Sequence, residues 1–359
     1  RRQASANAKP RSRQTLRATR PNLCKKNQRQ IRQKRRKICL SSSLFNINTM
    51  PQLADLIEHT AQRFEAAAIV LGQGTLNYID EAAWLLLWAA GLPLDTDWRA
   101  EGLAELNAAT LARIEALVTK RISSRQPTAY LTGQAWLQGV PFFVDARSII
   151  PRSLIAEIIA NGTADAWLDP QASRALDLCT GNGSLAVLAA MAWPDLHITA
   201  SDLSASALEV ARINVDQHGL QHRIQLLQGE GLAPAISQAL LFDLVLCNPP
   251  YVNASSMAAL PAEFQAEPDL ALAGGHDGMD FIRPLLAQLP QVLSENGVLI
   301  LEIGHERPFF EAAFPHLSPV WLETSAGCDQ VLLLTREMLE LGNLCTTPSL
   351  RGAQRHGNP

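Results

Sequence analysis

The segment Asp177-Leu178-Cys179-Thr180-Gly181-Asn182-Gly183-Ser184 lies between a short apolar run, residues 175–178, and a helical pattern over 184–191. Gly181 and Gly183 allow a tight turn and a close approach of the backbone to a ligand, and Ala186 completes a G-x-G-x-x-A spacing. A strand, a glycine turn and a helix make the opening unit of an α/β fold. Alone, the spacing fits a dinucleotide site, or a tight turn with no ligand, as well as any other nucleoside site.

The pattern outward from this turn repeats the unit. Strands are predicted at 197–200, 224–227, Phe242–Cys247 and 297–303, with helices at 204–218 and 280–293 and Ser204 as an N-cap. Residues 320–323 and 330–334 close the region as an antiparallel pair. Repeated β-α units predict a doubly wound, mostly parallel sheet whose ligand sits at the carboxyl ends of the strands.

The candidate site residues fall just after strands. Asp202 ends the second strand, 19 residues beyond Gly183. A carboxylate there accepts hydrogen bonds from both ribose hydroxyls of a nucleoside, in NAD and S-adenosylmethionine alike, or serves only as an acid at a helix N-terminus. Asp177 faces a cationic end of the cofactor or braces the loop. Glu230 ends the third strand within reach of an adenine amine, with Gly229 and Gly231 leaving room for a ring.

Asn248-Pro249-Pro250-Tyr251 directly follows the fourth strand. An amide nitrogen is a poor nucleophile because its lone pair is delocalised into the carbonyl. A site that alkylates it must hold both N–H groups and aim the nitrogen. The Asn248 side-chain oxygen and the Pro249 carbonyl accept one N–H each. Two prolines stiffen the turn and fix these acceptors in advance, and Tyr251 offers an aromatic face to a planar group. Transfer from a sulfonium is then an in-line displacement that needs positioning, with no metal and no covalent intermediate. The bland alternative is an ordinary turn ending a strand.

Composition narrows the classes. The chain has 359 residues, 47% hydrophobic and 18% charged, enough for two domains. No apolar run reaches the roughly 18–20 residues of a membrane span, and no secretory signal is legible. Six cysteines form no CxxC pair and no zinc-spaced cluster, which predicts reduced, mostly buried thiols in a cytoplasmic protein. Residues 1–49 carry 15 Lys/Arg and no Asp or Glu, leaving 16 basic and 34 acidic residues in 50–359, a net of −18. So acidic a body argues against an enzyme of duplex DNA.

The expected organisation has five parts. Residues 1–49 form a disordered basic tail, read as sequence upstream of a true start at Met50 and not native, as a targeting segment or as an RNA-binding arm. Residues 50–125 form a helical domain, with Leu53, Leu56, Ile57 and Ala61 at helical spacing and further helices at 81–90 and 108–121. Residues 126–150 form a linking β-hairpin, with strands at 129–136 and 141–144 and Gly139 in the turn. Residues 151–340 form the catalytic domain, and 341–359 a frayed tail.

The NPPY turn and the D-x-x-T-G-x-G loop together resemble the class I amino-methyltransferases. Further stretches are similar to the HemK/Prm glutamine N(5)-methyltransferases: Pro127-Thr128-Ala129-Tyr130-Leu131-Thr132-Gly133, Ile150-Pro151-Arg152 with Glu157, Glu267-Pro268, Ala271-Leu272, Gly274-Gly275 and Asp277-Gly278. The likeness runs from about residue 50 to 341. Cys179-Thr180-Gly181, Arg152-Ser153, Ala135-Trp136 and the closing Trp321-Leu322-Glu323 and Leu334-Thr335-Arg336-Glu337 resemble the branch that methylates large-subunit ribosomal protein L-three. Glu230 and Gly231 depart from that family, which usually has Asp and a larger residue there.

The resemblance implies a Rossmann-like, mostly parallel seven-stranded sheet. It implies S-adenosylmethionine bound by Asp177, Cys179, Thr180, Gly181, Asn182, Gly183, Asp202, Glu230 and Asn248, and a glutamine held by Asn248, Pro249, Pro250 and Tyr251. It implies a helical domain that docks the protein substrate, and no membrane or duplex DNA partner. Arg152 and Glu157 are expected to pair at the domain junction. The competing readings are a release-factor glutamine methyltransferase, an adenine amino-methyltransferase, a NAD-dependent oxidoreductase and a non-catalytic assembly factor.

Overall fold

The computed structural model describes residues 52–100 and 106–346; the expectations for the tail 1–49 and for the stretch beyond 346 lie outside the described residues. Helix α1, Leu53–Ala66, buries Leu53, Ile57, Ala61 and Phe64 on one face. Helix α2, Tyr78–Ala90, starts at Asn77, whose side chain accepts from the Asp80 N–H, and stops at left-handed Gly91. Its near-continuous apolar run fits its central place against both α1 and α3, Ala108–Ser124.

The predicted strand over 129–136 is half helix. Helix α4, Thr128–Thr132, opens after Pro127 and closes at left-handed Gly133. Proline fixes a φ suited to the helix entry and glycine accepts the αL cap, and these outrank the β-propensity of the residues between them. Strands β1, Gln134–Leu137, and β2, Val140–Phe143, then pair antiparallel. Gln138 and Gly139 both have positive φ, the signature of a two-residue hairpin turn.

Then come α5, Ile155–Ala160; β3, Arg174–Leu178; α6, Ser184–Ala192; β4, His197–Asp202; α7, Ala205–Gln217; β5, Ile224–Gln228; α8, Ala233–Ser237; β6, Phe242–Cys247; and α9, Ala254–Ala258. The chain closes with α10, Ile282–Gln288; β7, Leu293–Glu302; α11, Arg307–Ala313; β8, Val320–Thr324; β9, Gly327–Thr335; and α12, Arg336–Thr346. The seven-stranded sheet has the order β5-β4-β3-β6-β7-β9-β8. The first five strands run parallel, and β9 is antiparallel to β7 and β8. This is the expected Rossmann-like class I methyltransferase sheet.

Apolar layers cover both faces of the sheet. Ile155, Val187, Ile198 and Leu246 belong to one, and Leu178, Val245, Ile282 and Leu299 to the other. The helix predicted over 280–293 ends early, because Pro290 has no N–H to continue it; a 3-10 turn, Leu289–Gln291, follows, and Leu293 already pairs with Phe242. At the other end, α12 carries helix to Thr346, past residue 341 where fraying is expected.

Candidate active site

The carboxyl ends of β3, β4, β5, β6 and β7 frame a cavity of about 370 Å³. The glycine loop forms its floor. Asp177 is 1% exposed and does not line the cavity; its Oδ2 accepts from Thr180 Oγ1 at 2.5 Å and from the Ala186 N–H at 2.9 Å. Of its two expected roles the structure supports the brace. Burial raises its carboxyl to a pKa of about 7. Cys179, Thr180, Gly181 and Asn182 line the cavity. Gly183 is not on this lining; a Cβ there would lie 3.2 Å from the Ala211 Cβ of α7, so glycine permits close packing at that position.

Asp202 joins the loop to the next helix. Its Oδ2 accepts from the Gly181 N–H at 2.9 Å and its Oδ1 from the Ser204 N–H at 2.8 Å. The carboxylate thus accepts from the N–H of Ser204, the N-cap of α7, and also lines the cavity. Burial pushes its pKa up against these backbone hydrogen bonds. Asn214, fully buried, is a residue the sequence reading misses. Its side chain donates to the Asn182 carbonyl at 2.8 Å, donates to the Phe143 carbonyl and accepts from the Phe143 N–H, tying the hairpin to the glycine loop.

Glu230 is exposed on the wall after β5. Its neighbours divide the expected work. A Cβ on Gly231 would meet nothing within 4 Å, so that glycine leaves room for a ring; a Cβ on Gly229 would collide with Pro234, so that glycine makes room for a proline.

Asn248, Pro249, Pro250 and Tyr251 all line the cavity. The register of Cys247 opposite Leu178 of β3 brings this turn beside Cys179. Asn248 is half-buried, and its side-chain amide makes no hydrogen bond to another described residue. Three glycines shape a niche for Tyr251. A Cβ on Gly274 would lie 2.7 Å from the Tyr251 Cα, one on Gly278 would strike its carbonyl oxygen, and one on Gly304 would lie 2.5 Å from ring atom Cε2. The Tyr251 hydroxyl donates to Glu302 Oε1 at 3.1 Å. Glu302, at the end of β7, also lines the cavity, and burial raises its pKa.

A further wall is the segment 260–272, which presents Leu260, Phe264, Pro268 and Leu270. Two buried carboxylates hold it. Glu263 accepts from the Val70 N–H at 3.1 Å and from Arg125 at 3.2 Å. Glu267 accepts from Gln73, the Ile150 N–H and Arg152. Arg152 therefore does not pair with Glu157. Glu157 instead accepts from the N–H and hydroxyl of Ser325 at 2.7 and 2.5 Å. Of the cysteines whose side chains are described, Cys247 is buried, Cys179 half-buried and Cys328 exposed.

The family model described as "Methyltransferase small domain" matches residues 164–279. A "Ribosomal protein uL3 glutamine methyltransferase" of Bordetella pertussis is 51% identical over 82% of this chain and 98% of its own. Proteins of the same description from Burkholderia pseudomallei and Neisseria gonorrhoeae are 46% and 44% identical, over 78% and 80% of this chain and 93% and 95% of theirs. These likenesses do not favour the oxidoreductase, nucleic-acid or release-factor alternatives. With identity of this level over about four-fifths of its length, the chain belongs to the family of ribosomal protein uL3 glutamine methyltransferases.

Proposed function

We propose that this protein transfers a methyl group from S-adenosylmethionine to the side-chain amide nitrogen of a glutamine in ribosomal protein uL3, the L-three protein of the large subunit, in the cytoplasm. The observation that carries the reading is the half-buried Asn248 amide, which makes no hydrogen bond to another described residue and lines the same cavity as Asp202 and the glycine loop.

The residues present fit the cofactor. The Asn182 Nδ2 is buried with no partner among the described residues, a donor left for a ligand. Asp202 keeps lone pairs for ribose hydroxyls beyond its two backbone bonds. Cys179, Thr180 and Gly181 line the floor, and Glu230 stands where an adenine amine would reach it. The cofactor, when bound, supplies an electrophilic methyl on a sulfonium. The protein supplies geometry: Asn248 Oδ1 and the Pro249 carbonyl accept the two amide N–H groups, and the Tyr251 ring flanks the amide plane. The nitrogen would gain the methyl as the methyl–sulfur bond breaks with its electron pair left on sulfur, giving a neutral thioether product, and the surplus proton of the nitrogen would pass to solvent. An apolar wall and fixed dipoles make these acceptors effective without reorganisation. The helical layer is the docking surface for the protein substrate in this reading, because it anchors the wall segment through Glu263 and Glu267.

The test is incubation of purified enzyme and labelled cofactor with purified uL3, a release factor and duplex DNA in parallel. Label on a glutamine of uL3 alone is expected. Label on the release factor or on DNA would overturn the substrate assignment.

A further inference from the structure

Glu302 is 4% exposed and makes no ion pair with another described residue, although a buried carboxylate without a cation is costly. Its three partners are neutral donors. Ser153 Oγ donates to Oε2 at 2.6 Å, the Leu154 N–H to Oε2 at 2.9 Å, and the Tyr251 hydroxyl to Oε1 at 3.1 Å. The first two fasten the end of β7 to the entry of α5, which a neutral side chain would do at lower cost. The third reaches into the site. Tyr251 is held at its backbone by Gly274 and Gly278 and along one ring edge by Gly304. What those glycines leave free is the swing of the ring tip, and Glu302 is its only described hydrogen-bond partner.

We propose that Glu302 is a positioning residue, which holds the tip of the Tyr251 ring and so sets the plane against which the substrate amide lies. The inference rests on the methyl-transfer reading above and adds a residue that the NPPY motif does not contain. A carboxylate suits the task better than an amide. It accepts from three donors at once without presenting an N–H to any of them. A ring free to tilt would let the amide plane tilt with it, and misplacement by about 1 Å costs on the order of 10²-fold in rate.

The experiment is a double-mutant cycle with Glu302→Gln, Tyr251→Phe and the pair, measuring kcat and KM for the protein substrate, cofactor affinity by calorimetry and the melting temperature. Each single change is expected to lower kcat by about tenfold or more with KM changed less than about threefold. The double variant should be no more than about threefold slower than the worse single one, since both changes act on the one contact between the Tyr251 hydroxyl and Glu302. Cofactor affinity should stay within about twofold. An unchanged kcat in Glu302→Gln, losses that multiply in the double variant, or a fall confined to melting temperature or cofactor affinity would each overturn the proposal. Failure of the reading beneath it shows separately, as a wild-type enzyme that does not label uL3. If the wild type labels another protein, the same cycle run on that protein still decides the role of Glu302.

Discussion

Arg152 Nη1 donates to both carboxylate oxygens of Glu267, at 2.9 and 2.8 Å, and so pins the wall segment of the cavity to the chain leaving the hairpin. The Glu267 side chain is fully buried, and the Ile150 N–H and Gln73 amide share the same carboxylate. Its three donor groups make four hydrogen bonds and come from two stretches of chain, the loop after α1 (Gln73) and the linker after β2 (Ile150 and Arg152).

Glu267→Ala would strand that arginine and two further donors. Breaking a buried pair from one side costs about 3–5 kcal/mol. Glu157→Ala removes only the exposed contacts to Ser325 and should cost no more than about 1 kcal/mol. Denaturant unfolding of the two variants checks the contrast, and equal losses would reject the assignment of Arg152 to Glu267.

Asp177→Asn should make stability less dependent on pH. Burial raises the Asp177 carboxyl from 3.8 to about 7, so between those values the unfolded chain ionises it while the folded chain keeps it protonated. The folded state then binds more protons, and the wild type loses stability as pH rises from about 4 to about 7. The asparagine oxygen can still accept from Thr180 and Ala186, and its NH2 takes the place of an Oδ1 that has no partner among the described residues. The variant should therefore gain on the wild type across that window, by a few kcal/mol at most, at about 1.36 kcal/mol per unit. Parallel unfolding curves at pH 5 and pH 8 measure the difference. A gap that does not widen with pH would contradict a protonated Asp177.

Asp202→Ala should weaken S-adenosylmethionine binding by about 1–3 kcal/mol, the usual range for a charged acceptor. It also removes the partner of the Gly181 and Ser204 N–H groups, so calorimetry is paired with the melting temperature. Unchanged affinity would leave Asp202 with the helix-entry role alone.

Much of this site is legible in the sequence because its chemistry is local. The strand before NPPY is apolar but for Asp243, and the expected bounds match Phe242–Cys247 residue for residue. The glycine loop and Asp202 lie at the strand ends where an α/β sheet must put them. The Gly274-Gly275 and Asp277-Gly278 pattern is visible but carries no reason until Tyr251 is seated against Gly274 and Gly278. Glu302 and Asn214 are not legible, since each acts on partners 51–149 and 32–71 residues away and neither has a local pattern. Glu263 has no local signal and Glu267 is visible only within the Glu267-Pro268 stretch; both prove buried, with donors from segments more than 100 residues upstream. The Arg152–Glu157 expectation fails for a related reason. Five residues of separation suggest a pair, but Glu157 lies within α5 while Arg152 precedes it and turns to the wall segment.

The sharpest prediction concerns Asn248. Its half-buried amide faces the cavity with no competing protein partner among the described residues, so its oxygen is free to accept an N–H from the substrate amide. Asn248→Ala removes one of two fixed acceptors. The Pro249 carbonyl alone leaves the amide able to rotate about one hydrogen bond, and the nitrogen lone pair leaves the line of displacement. Turnover should fall by about 10²–10³, the usual loss for one preorganised contact. Asn248→Asp keeps an acceptor oxygen but misaligns the amide by adding charge near the sulfonium, so its turnover should lie between wild type and alanine. Cofactor affinity should survive both changes within about 1 kcal/mol, because the contact is to the substrate. Single-turnover kinetics with calorimetry separate the two quantities. Wild-type turnover in both variants would mean that Asn248-Pro249-Pro250-Tyr251 is only a turn, and amide methylation would lose its structural basis.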